Sequence, residues 1–402
     1  MALNVEKIRQ DFPLLAGKKP LIYFDNACVS MKPRQVIDAI NRYYNEFPAC
    51  GGRSLHKIGR TVTEEVVNAR IAVQKFLGAK NPKEIVFTRN TTEGINLIAH
   101  SLGLRAGDTV LTTDKEHNSN LIPWQILAKI GVKHKIVRSN TDNTFDFRSF
   151  ESAMDKSVKL ISMVHTSNLD GVSIPDKEII KIAHDNGALV LLDAAQSAPH
   201  KEIDVRKLDV DFLACSGHKM CGPSGTGILY GKYHLLEQLS PFIVGGDTVV
   251  DTTYTTATME KPPERFEAGL QDYAGIIGLG EAVKYLSSIG LKNISAHEAE
   301  LNKKITDGVK KISGISMIGP VDYSLRSGIL GFNIAGMDPH NVAMLLDKSS
   351  NIAIRSGAHC VHSWFNAHNM KGSARASLYL YNTPEECQLF IEALTKIAKL
   401  VK

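Results

Sequence analysis

Seven short runs of apolar residues, separated by longer stretches with helical spacing, constrain this chain more than any other feature. They fall at 84–88, 109–112, 135–137, 160–164, 189–192, 212–214 and 227–230. A run such as Leu189-Val190-Leu191-Leu192 shows no polar alternation, so both faces of the strand must be covered. Strands buried on two faces and joined by helices imply an α/β fold around a mainly parallel seven-stranded sheet, with right-handed crossovers. Helices are expected at 94–102, 121–130 and 177–186, with Gly131 and Gly187 where helix C-caps fall. Another is expected near 35–47.

From about residue 276 the pattern changes. Helices at 278–289 and 294–312 precede short strands at 329–334 and 352–355, then further helices, which reads as a smaller α+β domain. The expected division is a large domain over 20–275 and a small one made of 1–19 with 276–402.

Composition excludes several other classes. In 402 residues, 43% are hydrophobic and 22% charged, so the chain is neither disordered nor a small disulfide scaffold. A net charge of +5 over this length is too small to argue for nucleic acid. The six cysteines (28, 50, 215, 221, 360 and 387) form no C-x-x-C pair and no zinc-binding spacing, so no metal is expected. The stretch 1–7 lacks the apolar core of a signal peptide, and no apolar run approaches the ~20 residues that span a bilayer. A reducing cytoplasmic setting, with free thiols and no membrane partner, is the expectation.

Ligands of parallel α/β sheets bind beyond the carboxyl ends of strands, so the residues that follow each run carry the functional information. After 84–88 comes Asn90-Thr91-Thr92-Glu93-Gly94, which places hydroxyls and free N–H groups at a helix start. That suits a phosphate, although an ordinary N-cap looks the same. Glu116-His117 and His165-Thr166-Ser167-Asn168 follow two further strands. Asp193-Ala194-Ala195-Gln196 puts a carboxylate at the rim of a buried sheet, where it needs a cation: a structural arginine, or the protonated ring nitrogen of a cofactor. Ser216-Gly217-His218-Lys219 then leads into a glycine-rich turn. A desolvated lysine there favours Schiff-base chemistry, whereas most single lysines face solvent. Taken one at a time, each feature has a bland explanation. Together they are the parts of a pyridoxal phosphate site.

The ordered set Thr91-Thr92-Glu93-Gly94-Ile95-Asn96, Glu116-His117, Ser167-Asn168, Asp193-Ala194-Ala195-Gln196 and Ser216-Gly217-His218-Lys219 resembles the class V aminotransferase superfamily of pyridoxal phosphate enzymes. Arg355-Ser356-Gly357-Ala358-His359-Cys360 and the short stretch to Arg375 are similar to the Suf-type (group II) cysteine desulfurases. The resemblance covers almost the whole chain and implies fold type I, a homodimer, and conversion of L-cysteine to L-alanine with a persulfide on Cys360. The sulfur would pass to an acceptor or iron–sulfur scaffold protein. It also implies roles. Lys219 holds the cofactor covalently, His117 stacks on its ring, Asp193 pairs with the pyridine nitrogen and Gln196 contacts the ring oxygen. Thr91, Thr92, Ser216 and His218 hold the phosphate. Asn168 and Arg375 bind the substrate carboxylate, and His56 and Arg355 line the substrate side. His359, His362 and Arg355 are candidates to favour the Cys360 thiolate.

The chain departs from the family pattern in places. Leu270 follows Glu267-Ala268-Gly269 where relatives usually carry a threonine that reaches the partner subunit's phosphate. Asn118 stands where many relatives have a second histidine, and Ala358 replaces a commonly polar residue. A selenocysteine lyase or related C–S lyase on the same scaffold is the alternative within enzymes. A non-catalytic sulfur-transfer scaffold is the alternative outside them.

Overall fold

The computed structural model describes residues 3–16 and 21–401; the expected boundary between 19 and 20, and residues 1–2, lie outside these. The strands of the large sheet are β1 (Ile85–Thr88), β2 (Thr109–Thr113), β3 (Lys133–Val137), β4 (Val158–Val164), β5 (Leu189–Asp193), β6 (Phe212–Ser216) and β7 (Gly227–Gly231). Their spatial order is β1-β7-β6-β5-β4-β2-β3. Strands β2 to β6 pair parallel, and β7 runs antiparallel to both of its neighbours.

The unbroken apolar runs have a simple cause. Val190 and Leu192 of β5, with Leu213 and Cys215 of β6, face one core cluster. The residues between them, Leu191, Phe212 and Ala214, face a second cluster on the opposite side. Alternate side chains therefore enter different cores, and neither set needs to be polar.

Four helices frame the site: α1 (Arg34–Glu46), α2 (Lys57–Leu77), α3 (Thr91–Ser101) and α4 (Tyr273–Ile289). The residues Ile95, Leu97 and Ile98 of α3 fill the second core, and α2 and α4 cover the first. Helices α2 and α4 meet at Gly280, where an added Cβ would lie 2.6 Å from the Ala69 Cβ. The sequence pattern gave no expectation for α2, although Val62, Ala69, Val73 and Leu77 fall on its buried face. Its β-branched residues Thr61, Val62, Thr63, Val66 and Val67 weaken the helical signal. The helix expected at 121–130 is α-helical only over Ile122–Leu127, then tightens into a 3₁₀ turn that Gly131 ends in the left-handed region.

The smaller unit is an antiparallel sheet of β8 (Ile315–Ile318), β9 (Ile329–Ile334), β10 (Arg355–Gly357) and β11 (Ser373–Ser377), in the order β8-β9-β11-β10. It packs on helices Leu291–Val309, Pro339–Ser350 and Pro384–Ala398 through Leu301, Phe332, Leu346 and Phe390. Ile22 and Phe24 join this core, whereas Ile8, Phe12 and the α4 residues Ile276, Leu279 and Val283 join the larger one. Among the described residues no helix is long and apolar enough to cross a membrane.

Candidate active site

A cavity of about 250 Å³ opens beyond the carboxyl ends of the parallel strands, between the two sheets. Its floor is the start of α3. Asn90 caps that helix by accepting the Glu93 N–H at 3.0 Å. Thr91 lies against Ser216 at the end of β6, with the two hydroxyls 2.6 Å apart and the Thr91 N–H donating to Ser216 Oγ at 2.8 Å. Thr92 meets the hydroxyl of Ser119 at 2.7 Å. Hydroxyls and first-turn N–H groups thus converge on a helix's positive end, as a phosphate requires.

His117 stands beside this cradle. Its Nδ1 accepts the Ser119 N–H at 3.1 Å, so the other ring nitrogen carries the proton. Burial, then the positive charge of Lys219, pushes its pKa down to about 3, and the imidazole is neutral. The loop that carries it is pinned by Glu116, fully buried beneath. Its carboxylate accepts from Thr113 N, Thr113 Oγ1, Val164 N and Asn120 Nδ2. Burial raises the Glu116 pKa to about 7 in spite of these donors.

Asp193 ends β5 and Lys219 follows β6, which places both in the same buried space. Burial raises the Asp193 pKa and lowers that of Lys219; each partly offsets the other's burial. Asp193 Oδ1 accepts the Ala195 N–H at 3.0 Å. Gln196 donates from Nε2 to the Ala27 carbonyl at 2.7 Å, and its Oε1 is buried without a partner. His218, held near pKa 4 chiefly by burial, lines the cavity on the cradle side.

The opposite wall belongs to the small sheet. Arg375, buried on β11, donates from Nη1 to the Asn168 carbonyl at 3.0 Å, and Asn168 Nδ2 donates to the His359 carbonyl at 2.8 Å. Asp25 sits 3.7 Å from Arg375 and 3.6 Å from half-exposed Arg355, a shared counter-ion for two guanidiniums. Beside them, His359 and Cys360 both adopt left-handed backbone conformations, with φ of 49° and 59°, an uncommon state for residues that carry a Cβ. Cys360 is exposed and lines the cavity, and its carbonyl accepts the Asn118 N–H at 2.7 Å.

One expectation about the surroundings of Cys360 needs restating. His359 is buried, bonded from Nε2 to Ser373 Oγ, and pushed down to about pKa 2 by burial and Arg375, so it brings no positive charge. His362 Nδ1 lies 3.0 Å from Asn118 Nδ2, which gives that asparagine a role in the loop.

The cavity lining thus brings together Thr91, Thr92, His117, Asn168, Asp193, Gln196, Ser216, His218, Lys219, Arg355, Cys360 and Arg375. It does not include His56, which caps α2 by accepting the Gly59 N–H at 3.2 Å. Leu270 lines a separate hollow and is 71% exposed. Ser119 and Cys28 line the cavity without having been singled out. Ser119 carries a local clue, two residues after His117 in a strand-end loop. Cys28 carries none, because a distant strap of chain delivers it.

These residues fit pyridoxal phosphate. The undercompensated carboxylate of Asp193 suits a ring N–H, the second Nε2 hydrogen of cavity-lining Gln196 suits a ring oxygen, and the cradle suits a phosphate monoester. Among the described residues no three histidine, cysteine or acidic side chains stand together as metal ligands.

Comparison with known proteins points the same way. The family model described as Aminotransferase class-V matches residues 22–390. A Synechocystis protein named probable cysteine desulfurase is 42% identical over 96% of this chain and 94% of its own. A Shigella sonnei cysteine desulfurase is 38% identical over the full length of both. Among solved structures, the apo cysteine desulfurase of Thermococcus onnurineus superposes with a TM-score of 0.95 at 37% identity, over 99% of this chain and all of that one. The Escherichia coli cysteine desulfurase CsdA gives 0.92 at 30% identity over the full length of both chains.

Proposed function

The chain belongs to the aminotransferase class-V family, and from that membership we propose how its own residues carry out the reaction of a cysteine desulfurase. The enzyme is pyridoxal phosphate-dependent and converts L-cysteine to L-alanine. The observation that supports the residue assignment most directly is the placing of Lys219, Arg375 and Cys360 around one cavity.

Bound pyridoxal phosphate supplies an electron sink for the charge left when the substrate Cα loses its proton. Thr91, Thr92, Ser216 and His218 would hold its phosphate, Asp193 would accept its ring N–H, Gln196 would reach its ring oxygen, neutral His117 would stack on the ring, and Lys219 would anchor it. Arg375 and Asn168 take the substrate carboxylate, with Arg355 at the mouth. Lys219, its basicity lowered by burial, is then free to remove the Cα proton. The Cys360 thiolate attacks the substrate sulfur; the Cβ–Sγ bond breaks, the S–S bond forms, the proton given up by the Cys360 thiol goes to Cβ, and the proton held by Lys219 returns to Cα. L-cysteine and a thiol become L-alanine and a Cys360 persulfide, with atoms and electrons balanced.

An exposed persulfide is reachable by a second protein, and we read the acceptor as a sulfur carrier or iron–sulfur scaffold. A second copy of the chain fits the exposed apolar residues Leu55, Tyr254 and Leu270. The six thiols are unpaired, which suits the reducing cytoplasm. The shared packing of Ile8, Phe12 and α4 with the large core supports counting them with the cofactor domain and leaving the rest of the C-terminal part as the small one. A single-turnover reaction with L-cysteine tests the assignment. Alanine and a persulfide mapped to Cys360 are expected in equal amounts; a persulfide mapped to another cysteine overturns it.

A further inference from the structure

Lys219 sits in a turn whose backbone is held from outside by one short strap, residues 27–32. The carbonyl of His218, immediately before Lys219, accepts three donors from that strap: Ser30 N at 2.9 Å, Ser30 Oγ at 3.1 Å and Lys32 Nζ at 3.3 Å. The same Ser30 hydroxyl accepts the N–H of Cys221, two residues beyond Lys219, at 2.8 Å. Lys32 also closes back on the Ser30 carbonyl at 2.5 Å. Ser30 is 1% exposed, so its bond to Cys221 forms away from water.

The strap is itself fixed at both ends. Ala27 N donates to Ser377 Oγ at 2.9 Å, its carbonyl receives Gln196, and Met31 N donates to Tyr381 Oη at 3.0 Å. One stretch thus ties β11, which carries Arg375, to the turn that carries Lys219.

We propose that Ser30 and Lys32 are positioning residues for Lys219: they clamp the peptides on either side of it so that its amine meets both the cofactor and the substrate Cα. Neither touches substrate. Internal hydrogen bonds of the turn are few, the Met220 and Gly222 N–H groups both reaching back to the Gly217 carbonyl. The Lys219 peptide itself is aimed by the clamp, and a proton-transferring group must be held to about 0.5 Å. The inference rests on the reading of Lys219 as cofactor anchor and base.

Ser30→Ala, Lys32→Met and Lys32→Arg, each purified with its cofactor, test it by steady-state kinetics and by hydrogen–deuterium exchange of the peptide 216–222. Expected for Ser30→Ala and Lys32→Met is a kcat per bound cofactor about tenfold lower, with KM for cysteine within about twofold, and faster exchange in that peptide. Lys32→Arg, which keeps a donor, should recover part of the loss. Should Ser30→Ala fail to fold, Lys32→Met carries the same readouts. An unchanged kcat per bound cofactor, or unchanged exchange in 216–222, overturns the clamp. Failure of the underlying reading looks different: Lys219→Ala would still release alanine.

Discussion

The two residues that do the chemistry live in opposite surroundings. Lys219 is mostly buried, its flanking peptides bonded to Ser30 and Lys32 and its charge set against Asp193. Cys360 is exposed and strained, anchored through its own carbonyl to Asn118 and through the preceding one to Asn168. A group that moves a proton must not move itself, so its site is over-determined. A group that accepts sulfur inside and delivers it outside must be reachable from both sides, and an exposed thiol at the cavity mouth is. The difference separates anchoring from transport on one cavity wall each.

The strongest way to break that division is to remove each residue in turn. Both Lys219→Ala and Cys360→Ala should lower desulfuration by at least about 10³-fold. Only Lys219→Ala should lose the borohydride-reducible cofactor linkage. Cys360→Ala should keep the visible cofactor band and its response to cysteine, read by absorbance. Desulfuration retained by Cys360→Ala would return the sulfur chemistry to the buried half.

Arg375 links the halves, so changing it should hurt binding more than turnover. Arg375→Lys keeps the charge but not the planar fork, and KM for cysteine should rise about tenfold or more. Loss confined to kcat would place Arg375 with the anchoring half alone.

Buried histidines should also make the fold acid-sensitive. His165, fully buried and bonded from Nε2 to Asp176, has its pKa lowered to about 4 by burial, below its unfolded value of about 6.5. The unfolded chain therefore binds the extra proton in that window. Stability from this group is complete above pH 6.5 and is lost as pH falls towards 4. His117 and His218, and His359 on the opposite wall, act in the same direction. His165→Gln is expected to cost about 1–2 kcal/mol at pH 7.5 through a disturbed buried hydrogen bond. Its stability should then decline less than wild type between pH 6.5 and 5, measured by urea unfolding of the cofactor-free protein. A parallel decline in both proteins would remove His165 from the account.

Much of the site was legible because parallel sheets bind at strand ends, so Thr91, His117, Asp193 and Lys219 announce themselves by following apolar runs. The sheet was legible for the same reason, through runs that feed two cores. Contacts made by distant chain were not. Ser30 and Lys32 look like loop residues until the fold brings them 186 or more positions along the sequence to His218. Cys28 reaches the cavity on the same strap. His56 carries no local sign that its ring serves as a helix cap.

The smallest expected effect concerns how far one chain suffices for the buried half. Leu270 is exposed and outside the cavity, so nothing within its own chain asks it to hold the cofactor. It borders a hollow of about 380 Å³ with Thr88, Glu93 and Thr226, close to the start of α3. If a subunit boundary lies there, a hydroxyl at 270 adds one hydrogen-bond donor towards the neighbour's phosphate, worth about 1 kcal/mol. Leu270→Thr should then slow cofactor release about three- to fivefold, followed by absorbance after dilution, and leave kcat unchanged. Equal release rates would mean that the cradle of Thr91, Thr92 and Ser216 holds the phosphate without help from a neighbour, and that anchoring in this enzyme is complete within one chain.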